Sequence, residues 1–369
     1  MLMGKTGLIQ SEKQVLYGLV RHPLLNDREL AEKLDMKLPT LTAIRHRLER
    51  MDFYRQVRVP FLFSHGAEMF ASAAFTYNAS VLREEHARAI ESRLRAQPEI
   101  FWAARESGQD LALYLSSSFT DLRQNIEGLE EMYVKSRAAQ EAGQNVGVFP
   151  YRLGRCFSIF EFAPMLRQSL GIEGFEQNDT PKKLAEIPPV KLTRTERQVL
   201  LGLVRDPDVT DKTLSEKTGI SRYTIAKAKE KFESSGILRT VRIPNFTKLG
   251  FEMLVYAHGR FNLQAEEKDR HAHLGEVEEV KAPFLFVYGA TEAVSLDLYH
   301  DFEEYRKTVN QLSSIYQEHP IFVREPHRIL YSVREMKVLR DCDFVPFVEK
   351  VLKRLESSEG DDEEEDKEK

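Results

Sequence analysis

The sequence contains very little cysteine. Only Cys156 and Cys342 occur among 369 residues. Two cysteines are too few for a disulfide framework or for a zinc site built from thiolates. We therefore interpret both as ordinary core thiols without a redox role.

Long apolar runs are also lacking. No stretch reaches the length of a membrane span, and the N-terminus has no apolar segment of the kind found in signal peptides. With 42% hydrophobic and 30% charged residues, the composition is that of a globular chain of two to four domains. We therefore predict a cytoplasmic protein with no membrane partner.

Motifs that carry catalysis or bind a cofactor are likewise missing. The segment Met3–Gly7 contains Gly-Lys-Thr, but it lacks the first glycine of a phosphate-binding loop. We interpret the histidines of the C-terminal half as solvated or hydrogen-bonded, not as metal or haem ligands; they include His258, His271, His273, His300 and His319. No nucleophile stands with a base in a known pattern. The sequence thus predicts no enzyme and no cofactor.

The net charge of -5 is unevenly distributed along the chain. Residues 356–369 carry nine acids and two bases, so the remainder has a charge of +2. Residues 11–62 have ten Lys or Arg against seven Asp or Glu, and residues 193–250 have twelve against seven. Such local charge is compatible with DNA as a partner but does not require it.

A helix-turn-helix pattern is present in residues 214–238, LSEKTGISRYTIAKAKEKFESSGIL. Gly219 suits the sharp turn, and Ser221 is a suitable cap for the next helix. Ile225, Ala228 and Phe232 form an apolar stripe on that helix. A basic helix that follows a short turn suits the major groove of DNA, although any amphipathic helix pair gives a similar pattern.

The pattern occurs twice. A shift of 184 residues aligns Ser11–Met69 with a second segment without a gap, and 22 of the 59 positions are identical. A match of this size at a fixed period indicates an internal duplication. In the first copy the turn is Asp35-Met36-Lys37, and Pro39 falls in the first turn of the recognition helix.

The two recognition helices and the basic strands that follow them supply the predicted DNA contacts. In the second half these are Ser221, Arg222, Tyr223, Thr224, Lys227, Lys229, Lys231, Arg239 and Arg242; in the first half they are Lys37, Thr40, Thr42, Arg45, His46, Arg55 and Arg58. The arginines of the strands suit phosphate contacts, whereas the early helix positions suit base edges. An alternative is that Arg239 and Arg242 anchor the wing to the regulatory module by ion pairs.

Each helix-turn-helix segment precedes a predicted βαββαβ module. The predicted fold class is α+β, with two winged helix-turn-helix domains each followed by a ferredoxin-like domain, arranged as an internal pseudo-dimer. We predict winged helices over 1–62 and 193–248, ferredoxin-like domains over 63–172 and 249–356, a proline-containing linker over 173–192 and a disordered acidic tail over 357–369.

This arrangement resembles the Lrp/AsnC family of prokaryotic, especially archaeal, transcription regulators. The resemblance is carried by LAEKLDMKLPTLTAIRHRLERMDFY and LSEKTGISRYTIAKAKEKFESSGIL, each followed by a basic strand and a glycine, Gly66 or Gly250. It implies regulatory domains that pair into dimers and bind small molecules at interfaces. Gly108 and Asp110 match the family's Gly-x-Asp turn and become the candidate effector site, whereas the second half has Ala290-Thr291-Glu292.

The leading hypothesis is therefore a sequence-specific transcription regulator. Its partners would be double-stranded DNA and a small-molecule effector, and one chain would supply both members of a pseudo-dimer that could assemble further. Siroheme decarboxylases also resemble Lrp/AsnC proteins and work as pairs of related subunits, which leaves an enzyme as one alternative. A protein-interaction scaffold is another.

Overall fold

The computed structural model describes residues 7–138, 144–172 and 190–365. The chain is a mixed α+β protein that forms two compact units. The first unit comprises Met1–Gln56, Leu153–Leu184 and Thr240–Met336. The second unit comprises Val57–Arg152, Ala185–Arg239 and Lys337–Lys369. Each unit thus combines segments from both halves of the sequence.

Three helices open each half. They are α1 Gln10–Arg21, α2 Asp27–Lys33 and α3 Leu38–Arg50 in the first half, and α7 Arg194–Arg205, α8 Asp211–Thr218 and α9 Arg222–Ser234 in the second. Asn26 caps α2 by accepting hydrogen bonds from two backbone amides of the first turn, as the sequence predicts. The apolar stripe of α9 is buried, with Ile225 and Phe232 fully inaccessible.

The turns before the third helices differ between the halves. Gly219 ends α8 with a φ of 73°, a left-handed conformation that glycine adopts without strain. Asp35 takes the equivalent role in the first half with a φ of 49°. Pro39 lies in the first turn of α3, where its missing amide costs no hydrogen bond.

The strands after the third helices pair with each other. β1 (Tyr54–Pro60) and β7 (Leu238–Pro244) form a two-stranded sheet. The Phe61 amide donates to Ile237 at 2.7 Å, and the Asn245 amide donates to Phe53 at 2.8 Å, so the strands run antiparallel. We call this pair the ribbon.

The second unit contains a five-stranded sheet, here called the β2 sheet, with the order β12-β3-β4-β2-β5. Its strands are β2 Met69–Thr76, β3 Ile100–Glu106, β4 Gln109–Ser116, β5 Gln144–Pro150 and β12 Lys337–Arg340. Helices α4 (Glu84–Ala96) and α5 (Phe119–Lys135) bury Ile90, Leu94 and Leu122 against one face of the sheet. A short 3-10 helix, Phe63–His65, precedes β2.

The first unit contains the corresponding β8 sheet, with the order β11-β8-β10-β9-β6. Its strands are β6 Cys156–Ile159, β8 Met253–Arg260, β9 Leu285–Tyr288, β10 Glu292–Tyr299 and β11 His327–Ser332. Helices α10 (Glu267–Lys281) and α11 (Phe302–Glu318) cover one face through Leu274, Val277 and Leu312. The predicted βαββαβ order is present in both halves.

Each sheet also includes a strand from the other half of the sequence. β12 pairs antiparallel with β3, and β6 pairs antiparallel with β9. The helices that follow these strands, α6 (Phe162–Leu170) and α12 (Val345–Glu365), pack on α1 and α7 respectively. The sequence alone does not predict either strand, because four residues carry too little pattern and their partners lie far away along the chain.

Some predictions fall at or beyond the limits of the described residues. The linker 173–192 lies mostly outside them. The segment 357–369, predicted to be disordered, is helical as far as Glu365, since glutamate is a good helix former; residues 366–369 lie outside the described part. No described helix is long and apolar enough to cross a membrane. The internal duplication and the pseudo-dimer remain predictions.

Candidate functional site

The first two turns of α9 expose three predicted DNA contacts to solvent. The Ser221 hydroxyl caps the helix by accepting from the Thr224 amide at 3.1 Å. Arg222, Tyr223 and Lys227 are exposed, and 76% of the Tyr223 surface is accessible. A large aromatic side chain this exposed at the start of a helix is available to an external partner.

Two other lysines of α9 are paired within the helical domain. Lys229 Nζ lies 2.8 Å from Asp211 Oδ1 of α8, and Lys231 Nζ lies 2.7 Å from Glu196 Oε1 of α7. These ion pairs hold the three helices together. Burial raises the pKa of Glu196, but the hydrogen bonds of Lys231 and Thr193 and the charge of Lys231 together hold it below its ordinary value.

In α3, the recognition helix of the first half, more of the predicted contact residues form ion pairs or hydrogen bonds within the protein. Asp27 accepts from the Thr42 hydroxyl at 2.9 Å and lies 2.9 Å from the Arg45 guanidinium. Glu49 lies 3.1 Å from Arg45 and 3.3 Å from His46. The predicted contacts at the start of α3 that are exposed and lie outside these pairs are Lys37 and Thr40.

Two arginines of the ribbon are anchored within their own units. Arg58 is buried; its Nε donates to the Pro207 carbonyl at 3.0 Å, and its Nη1 lies 3.7 Å from Glu233. Arg242 Nη1 donates to the Leu19 carbonyl at 2.9 Å. Both arginines therefore tie the ribbon to a helical domain through main-chain carbonyls.

The other two ribbon arginines are placed differently. The Arg239 guanidinium lies over the Phe61 ring, 5.2 Å from its centroid, in a cation–π contact. Arg55 is exposed on β1. Among the four ribbon arginines, Arg55 is thus the most exposed.

The predicted effector residue Asp110 is completely buried. The Arg105 guanidinium donates to both of its carboxylate oxygens, at 2.7 and 2.6 Å. The hydroxyls of Tyr77 and Tyr133 donate to the same carboxylate. Burial and the Asp110 charge raise the pKa of Tyr133 well above its ordinary value, so this phenol stays protonated as a donor. Asp110 therefore forms the centre of an internal network beside the turn at Gly108.

A group of titratable side chains lies on the face of the β8 sheet that α10 and α11 do not cover. Ala293 belongs to the core under these helices and pairs with Gly259. Because successive strand residues point to opposite faces, the neighbouring His258 lies on the helix-free face. The face on which His258 lies is set by the strand register, which the sequence alone does not specify.

Four side chains meet at one end of this helix-free face. His258 of β8 pairs with His327 of β11, and Arg260 of β8 pairs with Glu292 of β10. His258 Nε2 lies 2.9 Å from Glu292 Oε2. His258 is nearly buried, whereas His327 and Arg260 are exposed. We call these four residues the His258 surface.

Electrostatics keeps one of these histidines neutral. Partial burial, the neighbouring His258 and Arg324 lower the pKa of His327 below its ordinary value. A neutral imidazole is the form that binds metal ions. His327 therefore has the protonation state of a ligand, whereas the His258–Glu292 pair has the geometry of a proton relay.

Gly259 allows the strand that carries His327 to lie close to β8. A Cβ atom at Gly259 would lie 2.7 Å from Phe322 Cε1 and 3.1 Å from Pro326 Cγ. These distances leave no room for a side chain without moving the segment that leads into β11. The glycine thus fixes the spacing of the two histidine-bearing strands.

The corresponding positions of the β2 sheet carry no titratable side chains. There Thr76 pairs with Gln109, as Arg260 pairs with Glu292. Ala74 pairs with Asn145, as His258 pairs with His327. The two sheets therefore share a strand order over their central strands but differ in chemistry.

Comparison with solved structures shows which folds the chain resembles. The siroheme decarboxylase NirDL is similar over 94% of this chain and 99% of its own, with a TM-score of 0.50 and 11% sequence identity. The same enzyme in complex with an iron-uroporphyrin III analogue gives a TM-score of 0.50 and 10% identity over 93% of this chain and 98% of its own.

Transcription regulators match a smaller part of the chain. An AsnC family regulator from Agrobacterium tumefaciens covers 38% of this chain and 90% of its own, with a TM-score of 0.32 and 17% identity. No protein-family model and no curated protein matches the sequence. At 11% identity, the similarity to NirDL shows the fold alone.

The prediction that the chain is not an enzyme is wrong in the light of these comparisons, since the full-length structural match is to an enzyme. A local sequence motif does not describe the His258 surface. The His258 surface draws its side chains from three strands, so no local spacing in the sequence identifies it. The histidine content of the C-terminal half was the one signal available.

Proposed function

We propose that this chain binds an iron tetrapyrrole with carboxylate side chains and removes carbon dioxide from it, as the name siroheme decarboxylase implies for NirDL. The proposal is carried by the similarity to NirDL over nearly the whole of both chains. The His258 surface supports it with residues of suitable chemistry. The site belongs to the second half, whose sheet carries the histidines and arginines.

Each residue of the surface has a role in this proposal. His327, kept neutral by its surroundings, is the candidate iron ligand. Arg260 and the exposed Arg324 are candidates for binding the carboxylates of the macrocycle. His258, held by Glu292, is the candidate proton donor.

The chemistry requires a proton at a defined atom. Loss of carbon dioxide breaks one carbon–carbon bond and leaves the electron pair on the side-chain carbon. A proton from the His258 imidazolium completes that carbon, and solvent then restores the proton to His258. Glu292, 2.9 Å from His258 Nε2, sets the orientation of the imidazole.

Absorption spectroscopy and mass spectrometry test this proposal. Iron-uroporphyrin III added to the anaerobic protein should bind with a shifted Soret band, and siroheme should lose carbon dioxide. His327→Ala should change the Soret position, whereas His258→Ala should bind normally and lower kcat by about 100-fold or more. His300→Ala provides a control outside the surface. Unchanged spectra with both tetrapyrroles would exclude this function.

Sequence-specific DNA binding is a second candidate, favoured by the exposed Arg222, Tyr223 and Lys227 on α9. The helix of the first half would contribute less, since its polar side chains are paired with Asp27 and Glu49. An operator would then be an imperfect inverted repeat with its stricter half under α9.

DNA binding is tested by selecting duplexes from a random pool and titrating them at several salt concentrations. Arg222→Ala should cost about 1 to 3 kcal/mol at a selected site and relax base preference. Lys229→Ala serves as the comparison, because this lysine is paired with Asp211. No enrichment of any sequence by the wild-type protein would eliminate the candidate.

A further inference from the structure

Two histidines and a glutamate meet where α10 and α11 pack against each other. His273 and Glu276 are separated by one helical turn on α10, and His319 caps the C-terminal end of α11. His273 Nδ1 lies 3.0 Å from Glu276 Oε1. The His273 and His319 rings stack with centroids 3.6 Å apart and an angle of 12°.

The donor atoms of these residues are close enough to converge on one ion. One ligand atom from each of the three lies within 4.8 Å of the others. Two imidazole nitrogens on a shared zinc ion each lie about 2.0 to 2.1 Å from the metal, which places them roughly 3.4 Å apart in a tetrahedral site. The three side chains are partly or fully exposed. Rotation about their Cβ–Cγ bonds can therefore bring the donor atoms to the separation that a bound ion requires.

The donor set selects a class of metal. Imidazole nitrogen suits zinc, copper and nickel, whereas magnesium and calcium prefer a shell of oxygen atoms. Three protein ligands leave a fourth position for water. The carboxylate also balances part of the charge of a divalent ion.

The cluster is separate from the His258 surface. It lies on the side of the β8 sheet covered by α10 and α11, whereas His258 lies on the opposite face. An ion here therefore would not be the iron of a tetrapyrrole bound at His327.

We propose that His273, Glu276 and His319 bind one divalent transition-metal ion such as Zn²⁺, which links α10 to α11. The ion replaces a stacked pair of imidazoles with a cross-link between two helices. Because the ion binds the folded state, occupancy raises the stability of this domain. His46 and Glu49 offer a matched comparison. They form the same i,i+3 histidine–glutamate pair, at 3.3 Å, but among the described residues they do not belong to a group of three potential metal ligands.

Metal titration of the full chain, first treated with a chelator, tests the proposal. Zn²⁺ should bind with one equivalent in competition with a chromophoric chelator, and Co²⁺ should give the visible bands of a site with nitrogen ligands. His273→Ala and His319→Ala should each weaken Zn²⁺ binding at least about tenfold. Glu276→Gln, which keeps the side-chain shape, should weaken binding by a smaller factor. His46→Ala should leave it unchanged.

Controls separate metal binding from folding. Circular dichroism should show the same helix content in every variant, and Zn²⁺ should raise the melting temperature of the wild type but not of His319→Ala. Equal Zn²⁺ affinity in wild type and both histidine variants would overturn the proposal, as would a wild-type chain that binds no ion. Tetrapyrrole binding in the same variants should be unaffected.

Discussion

Arg58 donates a hydrogen bond from Nε to the main-chain oxygen of Pro207, 149 residues away in the sequence, at a distance of 3.0 Å. The guanidinium is almost completely buried, and Glu233 lies 3.7 Å from it. A charged donor in such a position contributes to stability mainly because its removal leaves partners without a hydrogen bond.

Arg58→Ala should therefore lower the free energy of unfolding by about 1 to 3 kcal/mol, measured by urea denaturation. Arg55, on the same strand but exposed, is the matched control, and Arg55→Ala should change stability by less than about 0.5 kcal/mol. Equal losses in the two variants would contradict the anchoring role.

Stability should depend on pH through Glu278. Burial raises the pKa of this carboxyl to about 7 from an ordinary value of 4.5. As pH rises between these values, the unfolded chain ionises while the folded protein keeps its proton, so the free energy of unfolding falls and then levels off. Glu278→Gln should remove this loss, which is on the order of 1 to 3 kcal/mol.

The Glu278 experiment compares urea denaturation at about pH 5 and about pH 7.5. Glu279→Gln, an exposed neighbour on α10, should keep the wild-type dependence. A Glu278→Gln protein that loses stability over this range as the wild type does would show that another group is responsible.

Asp110 should behave as a structural residue. Asp110→Ala leaves the Arg105 charge uncompensated and should cost about 3 to 5 kcal/mol in unfolding experiments. The double variant Arg105→Met with Asp110→Leu should recover part of that loss, because neither charge then remains buried. If Asp110 instead serves an effector, Asp110→Asn should change ligand affinity while stability stays constant.

Each half of the sequence should need the other half in order to fold. The β2 sheet needs β12, whose Lys337 pairs with Arg105 and lies 2.7 Å from Glu91, and the β8 sheet needs β6. Fragments 1–172 and 190–369 should therefore co-purify when expressed together and aggregate or unfold when expressed singly. Native mass spectrometry measures the complex. Two separately soluble fragments with native circular dichroism would count against this dependence.

Local pattern was sufficient for much of the fold. The capping box at Asn26, the turn at Gly219 and the stripe through Ile225 and Phe232 are all encoded within a few residues, and all occur in the structure. The apolar run at residues 111–116 that predicts a strand is equally local, and it lies within β4, Gln109–Ser116.

The candidate site could not be predicted in the same way. Whether Lys229 faces DNA or Asp211 depends on how α8 packs on α9, and the pairing of His258 with His327 depends on which strands become neighbours. These are tertiary relationships between distant segments, and a single sequence records them weakly. The same limit explains why β6 and β12 were missed.

The chemical difference between the two sheets predicts how many ligand molecules one chain binds. Ala74, Thr76, Gln109 and Asn145 occupy the positions that His258, Arg260, Glu292 and His327 occupy in the other sheet. A ligand that needs histidine or arginine at those positions finds them once per chain. Titration of the protein with such a ligand should then saturate at one equivalent per chain along a hyperbolic curve. Any cooperativity in ligand binding would have to arise from association between chains.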